Sequence, residues 1–293
     1  MFAIKTVLNA RCWRKHLHSI NSKMDTFSSQ ASTPIVELRS YQLYPDQTSK
    51  YMKHTTKSAH LRKSLPLALF GLPETGGTPL NTAIHLYHYS EGSAERNIKR
   101  KALAEKTEWQ EYLSEVKACM MQQSSSIFVE AQLVDDFDEI KGLQYWVNSN
   151  NNDGSSSKGI IELRKYQLKL GYDTVPQFLK IYSSALPSKL NASGTHPGTE
   201  LVTILISDTG SLNQVFEVWK HSSEIAMEQS RQAFDRFAKP SLNLSSNFSS
   251  LAFFLATSTI LPTAFVESDK GPSCLSAVYF PPRAVIIARH GPL

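Results

Sequence analysis

The chain has 293 residues, 41% of them hydrophobic and 19% charged. That balance excludes global disorder and leaves length for two domains with their own cores. The formal charge of +5 does not describe a binding surface: residues 1–24 hold Lys5, Arg11, Arg14, Lys15 and Lys23 with no acid, leaving 26 basic residues against 26 acidic ones in the rest. A nucleic-acid binder needs a concentrated basic face, so that class is excluded.

In chain order, residues 1–24 read as a mitochondrial transit peptide: basic, free of acids, and followed by a Ser/Thr-rich stretch from Thr26 to Thr33. The expected location is mitochondrial, in the matrix. A secretory signal is excluded because Lys5, Asn9 and Arg11 interrupt the apolar run. Cys12, Cys119 and Cys274 have neither metal nor redox spacing, and the sequons at Asn191, Asn243 and Asn247 matter only in a secreted chain. No stretch reaches the ~20 apolar residues of a membrane span.

The body of the sequence repeats. Val36-Glu-Leu-Arg-Ser-Tyr-Gln-Leu43 recurs as Ile161-Glu-Leu-Arg-Lys-Tyr-Gln-Leu168, and Ile84-His-Leu-Tyr-His-Tyr89 aligns less tightly with Phe216-Glu-Val-Trp-Lys-His221. The first repeat, 35–134, opens on a strand at Val36–Leu43. A weak helix follows, with Tyr51, Thr55 and Ala59 on one face, then a strand at Ile84–Tyr89. Thr107 and Gln110 form an expected capping box for a helix buried through Trp109, Tyr112, Leu113, Val116 and Met120, and Ile127 to Leu133 is expected as the closing strand. Residues 135–158 form an acidic and Asn/Ser-rich linker, expected to be mobile from Asn148 to Ser157. In the second repeat, 159–265, Val175, Phe178, Leu179, Tyr182 and Leu186 fall at helical spacing after a possible cap at Thr174, and Leu251 to Leu261 is the closing strand. A tail, 266–293, completes the chain. This order, strand–helix–strand–strand–helix–strand twice over, predicts an α+β fold: two tandem ferredoxin-like βαββαβ units whose sheets pair within one chain as a dimeric-type α+β barrel.

The tandem strands at Glu37–Leu43 and Ile161–Leu168, the Ala83–Tyr89 strand and the Thr107–Val116 helix together resemble the NIPSNAP family over roughly residues 35–265. The resemblance implies a dimeric α+β-barrel fold, mitochondrial residence and a role in marking damaged mitochondria for autophagy. It implies no known catalytic activity and no cofactor. Bacterial relatives of the barrel include monooxygenases and haem-degrading enzymes, which keeps a ligand-binding or monooxygenase-like barrel as the alternative.

Strand alternation puts Glu37, Arg39 and Tyr41 on one face, with His85 and Tyr87 on the matching face of their strand. Glu162, Arg164 and Tyr166, with Glu217 and Trp219, repeat the set. If helices cover the Leu38 and Leu86 side, these groups line a cleft between the repeats, suited to an anionic or planar ligand. The competing reading is a Glu–Arg network satisfied within the barrel. His85 and His88 lie three apart on a strand and cannot share one ion, so no metal site is expected, and no nucleophile setting or phosphate loop marks a catalytic residue. The linker segment Asp135-Asp136-Phe137-Asp138-Glu139-Ile140 has the pattern of an autophagy-adaptor motif: an aromatic, two spacers, an aliphatic, and acids in front. Such a motif adds a strand to a partner's sheet, and the expected partners are ubiquitin-like autophagy modifiers. The competing reading is that Phe137 and Ile140 simply pack against the first repeat. Self-association is left open by the sequence.

Overall fold

The computed structural model describes residues 32–72, 81–152, 159–241 and 255–262. The expected leader, the tail beyond 262 and the polar stretch 153–158 lie outside these residues.

Repeat one runs β1 (Ile35–Leu43), α1 (Thr48–Lys57), a 3₁₀ turn (Ala59–Ser64), β2 (Leu67–Gly71), β3 (Thr82–Tyr89), α2 (Gly92–Ala104), α3 (Thr107–Lys117) and β4 (Met120–Glu130). Two short helices follow, α4 (Leu133–Asp136) and α5 (Gly142–Asn152). Repeat two is β5 (Ile160–Gln167), α6 (Thr174–Leu190), β6 (Thr199–Thr209), β7 (Gln214–His221), α7 (Glu224–Ser241) and β8 (Leu255–Pro262).

The strands form one antiparallel sheet in the order β2-β3-β1-β4-β6-β7-β5-β8. Each repeat contributes the same four-strand order, and β4 pairs with β6 to fuse them, with Phe128 opposite Ser207 and Glu130 opposite Leu205. The duplication extends to a backbone detail. Asn81 and Asn213 both have positive φ, at 59° and 54°, just before the third strand of their repeat. Their carbonyls accept from Leu43 N and Leu168 N, each at 2.8 Å. Asparagine tolerates this left-handed conformation better than most residues, so the same turn is built twice.

One sheet face is a single apolar core shared by both repeats. Val36, Ile84, Leu86 and Phe128 from repeat one cluster with Ile161, Leu163, Val202, Phe216 and Val218 from repeat two, and Phe128 meets Phe216 edge to face at 5.1 Å. The other face lies under helices. In repeat one it carries Tyr41, Tyr87 and Tyr89 against Tyr51 of α1, Leu103 of α2 and Trp109 and Tyr112 of α3. In repeat two it carries Leu201, Val215 and Trp219 against Phe178, Tyr182 and Leu186 of α6 and Phe234 of α7. This is the dimeric-type α+β barrel with both halves in one chain.

Four details depart from the sequence expectations. The strand closing repeat one begins at Met120 and ends at Glu130. The helix expected from Thr107 has Lys106 as its N-cap and no side-chain capping bond; Gln110 instead donates to the Ala104 carbonyl at 3.0 Å. A separate helix, α2, precedes it. The linker is also partly ordered: Asp135 and Asp136 end α4, and Gly142–Asn152 form α5. The physical reason is that α5 has an apolar start, with Leu143 and Trp146 0% and 4% exposed inside the shared core. The Glu130 carboxylate accepts from Leu143 N at 2.8 Å and from the Thr203 hydroxyl, so it satisfies an N–H at the start of α5 and ties that start to β6.

Because α5 fills the shared core, Trp146→Ala removes packing that both repeats use. The expected cost is about 3–5 kcal/mol, seen in urea denaturation as one cooperative transition at lower midpoint; a change below about 1 kcal/mol would show that α5 is peripheral.

Candidate functional site

The helix-covered faces bury charge. In repeat one Glu37 is fully buried on β1. Arg96 and Arg100, one helical turn apart on α2, reach down to it: Arg96 Nη2 donates to Oε1 at 2.8 Å, and Arg100 donates to Oε2 through Nη2 at 2.7 Å and Nε at 3.1 Å. Ser125 of β4 donates to Oε1 at 2.8 Å and the Tyr89 hydroxyl to Oε2 at 3.4 Å. Burial alone would raise the carboxyl pKa. The Arg96 and Arg100 guanidiniums and the Ser125 hydroxyl outweigh it and hold it at about 2. Arg39 lies 3.8 Å from Glu37 and over the Tyr41 ring at 5.6 Å. Burial lifts the Tyr41 phenol to about 12.

Beside this network stands a neutral one. His85 is fully buried on β3, its Nε2 3.1 Å from the Tyr51 hydroxyl and its Nδ1 3.0 Å from that of Tyr87. Burial, reinforced by the charges of Arg62, Arg39 and Arg100, pushes its imidazole well below the ordinary range. It is a hydrogen-bonding ring here, not a cation.

Repeat two rebuilds the arrangement with changed parts. Glu162 takes Arg164 in a two-pronged contact at 2.7 and 3.0 Å, Arg231 of α7 at 2.6 Å and His221 Nε2 at 3.1 Å. Burial opposes its ionisation, but His221, Arg164 and Arg231 prevail and lower its pKa strongly. A second buried carboxylate, Glu217 of β7, accepts from Lys189 Nζ at 2.9 and 3.1 Å, from Tyr166 at 3.0 Å and from Trp219 Nε1 at 2.6 Å. Its pKa too is lowered: burial is offset by the charges of Lys189 and Arg164.

The residues named from sequence are therefore brought together within each repeat but not between repeats. Glu37, Arg39, Tyr41, His85 and Tyr87 lie under α1–α3; Arg164, Tyr166, Glu217 and Trp219 lie under α6 and α7. The expected inter-repeat cleft is not formed by them, because the helices cover the polar face and the Leu38 and Leu86 side faces the other repeat. The register explains the choice. Val36, Ile84, Leu86 and Phe128 bury well against another apolar sheet, whereas a buried carboxylate needs long basic side chains, which helices supply. Sequence reasoning missed Arg96, Arg100, Lys189 and Arg231. The i,i+4 spacing of Arg96 and Arg100 was the available signal. Among the described residues there is no group of three or more His, Cys, Asp or Glu able to hold a metal ion.

The motif segment lies elsewhere. Asp135 and Asp136 are exposed at the end of α4, Phe137 is half-buried and Ile140 is 3% exposed. Both anchors pack on the core of repeat two, with Leu133 and Val134, rather than against repeat one. Ile140 N donates to the Phe137 carbonyl at 3.0 Å, which closes the segment into a turn.

The NIPSNAP family model matches residues 36–133, the span of repeat one through the start of α4. Repeat one is a NIPSNAP domain. It is 28% identical to human Protein NipSnap homolog 3A over 188 residues, 64% of this chain and 67% of that one. It is 27% identical to mouse Protein NipSnap homolog 3B over 203 residues, 69% of this chain and 73% of that one. A solved structure from Fusobacterium nucleatum subsp. nucleatum, described as a candidate monooxygenase, superposes with a TM-score of 0.51 at 10% identity, covering 80% of this chain and 93% of that one. That likeness concerns the fold. It spans most of both repeats.

Glu37→Gln leaves Arg96 and Arg100 without their buried counter-charge, with an expected loss of about 3–5 kcal/mol. The pH dependence has a fixed sign. Glu37 is depressed from 4.5 to about 2 in the folded state, so its stabilisation is complete above about pH 5 and is lost as pH falls from there toward 2. Thermal unfolding from pH 7 to pH 2.5 checks this: the variant, already less stable at pH 7, should lose less than the wild type on acidification. Parallel curves would remove Glu37 from the account.

Proposed function

We propose that this NIPSNAP-family protein is a mitochondrial, non-enzymatic interaction protein of the matrix that carries a conditional docking segment at 135–140, read by ubiquitin-like autophagy modifiers. The observation that carries this reading is the split within the segment. Its acids, Asp135, Asp136, Asp138 and Glu139, are exposed, while its anchors, Phe137 and Ile140, are docked on repeat two. A partner that binds by strand addition needs both anchors and a free backbone. The folded protein therefore keeps the segment closed, and a chain that has not folded offers it. A precursor stalled outside the organelle is such a chain, so exposure of Phe137 and Ile140 would report failed import. The acids would draw the segment to a basic partner surface.

The alternative, a small-ligand-binding or monooxygenase-like barrel, shares the fold with the Fusobacterium structure. It loses the inter-repeat cleft as its site, because the polar groups lie in two separate layers under helices.

The test compares a peptide of residues 130–142 with the folded chain for binding to purified ubiquitin-like autophagy modifiers. The peptide is expected to bind in the micromolar range, the folded chain at least tenfold more weakly, and the Phe137→Ala/Ile140→Ala peptide not at all. No binding by the wild-type peptide would remove the segment as the contact.

A further inference from the structure

Each repeat buries a cation near the C-terminal end of its first helix and surrounds it differently. In repeat two, Lys189, at the end of α6, is neutralised by Glu217 and also donates to the Tyr182 hydroxyl at 2.9 Å. In repeat one the cation is Arg62, in the 3₁₀ turn after α1 and 6% exposed. Strand register identifies what stands in the place of Glu217. Glu217 pairs with Arg164 across β7 and β5, and the residue paired with Arg39 across β3 and β1 is His85. His85 is held neutral by burial, with Arg62 itself contributing. Repeat one has thus kept the buried cation and lacks the carboxylate that answers it in repeat two.

The surroundings of Arg62 do not repair this. Its Nη2 donates to the Tyr112 hydroxyl at 2.5 Å, and its guanidinium lies 4.7 Å from the Tyr112 ring centroid and 5.4 Å from that of Trp109. Nε and Nη1 are buried and have no hydrogen-bond partner among the described residues. Glu37, the one buried carboxylate described in this layer, is held by Arg96 and Arg100. A desolvated guanidinium with unmet donors is costly unless an anion joins it.

We propose that the helix–sheet layer of repeat one binds a small monocarboxylate, whose carboxylate pairs with Arg62 as Glu217 pairs with Lys189 in repeat two. A carboxylate matches the planar guanidinium, and the packing of Tyr112 and Trp109 on Arg62 keeps the ligand small, about two or three carbons beyond the acid. Trp109 and Tyr112 give the apolar part of the ligand an aromatic surface.

Thermal unfolding of the full chain with sodium propionate tests the site, with sodium chloride at matched ionic strength and propionamide as controls. Propionate is expected to raise the Tm saturably by a few degrees, as a ligand specific to the folded state does, and the controls are not. Arg62→Gln should abolish the response. His85→Glu supplies the carboxylate within the chain; it should raise the Tm without ligand and also remove the propionate effect, and it decides the matter where Arg62→Gln fails to fold. No propionate-specific rise in the wild type, or a rise that survives in His85→Glu, would overturn the proposal. Either result is independent of the docking segment at 135–140.

Discussion

A carboxylate placed between a sheet and its helices must be answered from both sides, and this requirement shapes each repeat. Glu37 sits on the central strand of its unit with no exposure. Its nearest guanidiniums come from α2, one turn apart, so the helix is fixed both along its axis and about it. Glu162 draws Arg231 of α7 in the same way, with Arg164 added from its own strand. Replacing such a pair by apolar groups need not weaken a protein, but removing one member leaves a charge stranded. The network therefore specifies how the helices dock as much as it adds stability. It also decides which face is left for the other repeat: once the helices take the charged side, the apolar side has only another sheet to cover it.

This explains why part of the architecture could be read from sequence and part could not. The recurrence of the Glu-Leu-Arg-x-Tyr-Gln-Leu strand marks the duplication, and alternation separates Glu37, Arg39 and Tyr41 from Val36 and Leu38. Alternation cannot say which set faces the helices. The usual assumption that helices cover aliphatic residues points the wrong way here, because the aliphatic set has a second sheet available. The information that settles it lies in α2, a helix with mean composition too polar to attract notice. Its two arginines matter only once Glu37 is known to be buried beneath them. The weaker match of Ile84–Tyr89 to Phe216–His221 proves meaningful for a related reason: strand register places His85 opposite Arg39 and Glu217 opposite Arg164, so the alignment is spatial as well as sequential.

The linker shows the complementary error. Asn148 to Asn152 lack apolar side chains, and by composition alone they belong to a loop. They are helical because the helix begins earlier, at Gly142, where Leu143 and Trp146 enter the shared core and Glu130 accepts from the Leu143 amide. Anchoring at one end carries a polar sequence through another turn and a half. The same economy places Phe137 and Ile140: the chain leaving β4 must cross the fused sheet to reach β5, and its apolar residues are used on the way, on repeat two.

Joining two units in one chain also frees them from each other. In a dimer of identical subunits every substitution appears twice, so a site can change only if both copies tolerate the change. Here His85 and Glu217 occupy matching positions and impose opposite electrostatics, one neutral and one anionic, each with a buried cation nearby. The α5 helix breaks the symmetry further, since it packs against β2 and β6 and enters the shared core from one side. The conserved part of the duplication is the set that fixes the backbone: the glutamate on the central strand, the arginine two residues on, and the asparagine turns before β3 and β7. The divergent part is what surrounds the second buried cation. A residue set free to vary while its frame is held constant is where a difference in binding between the halves can arise, and Arg62, with its donors unmet, lies in that set.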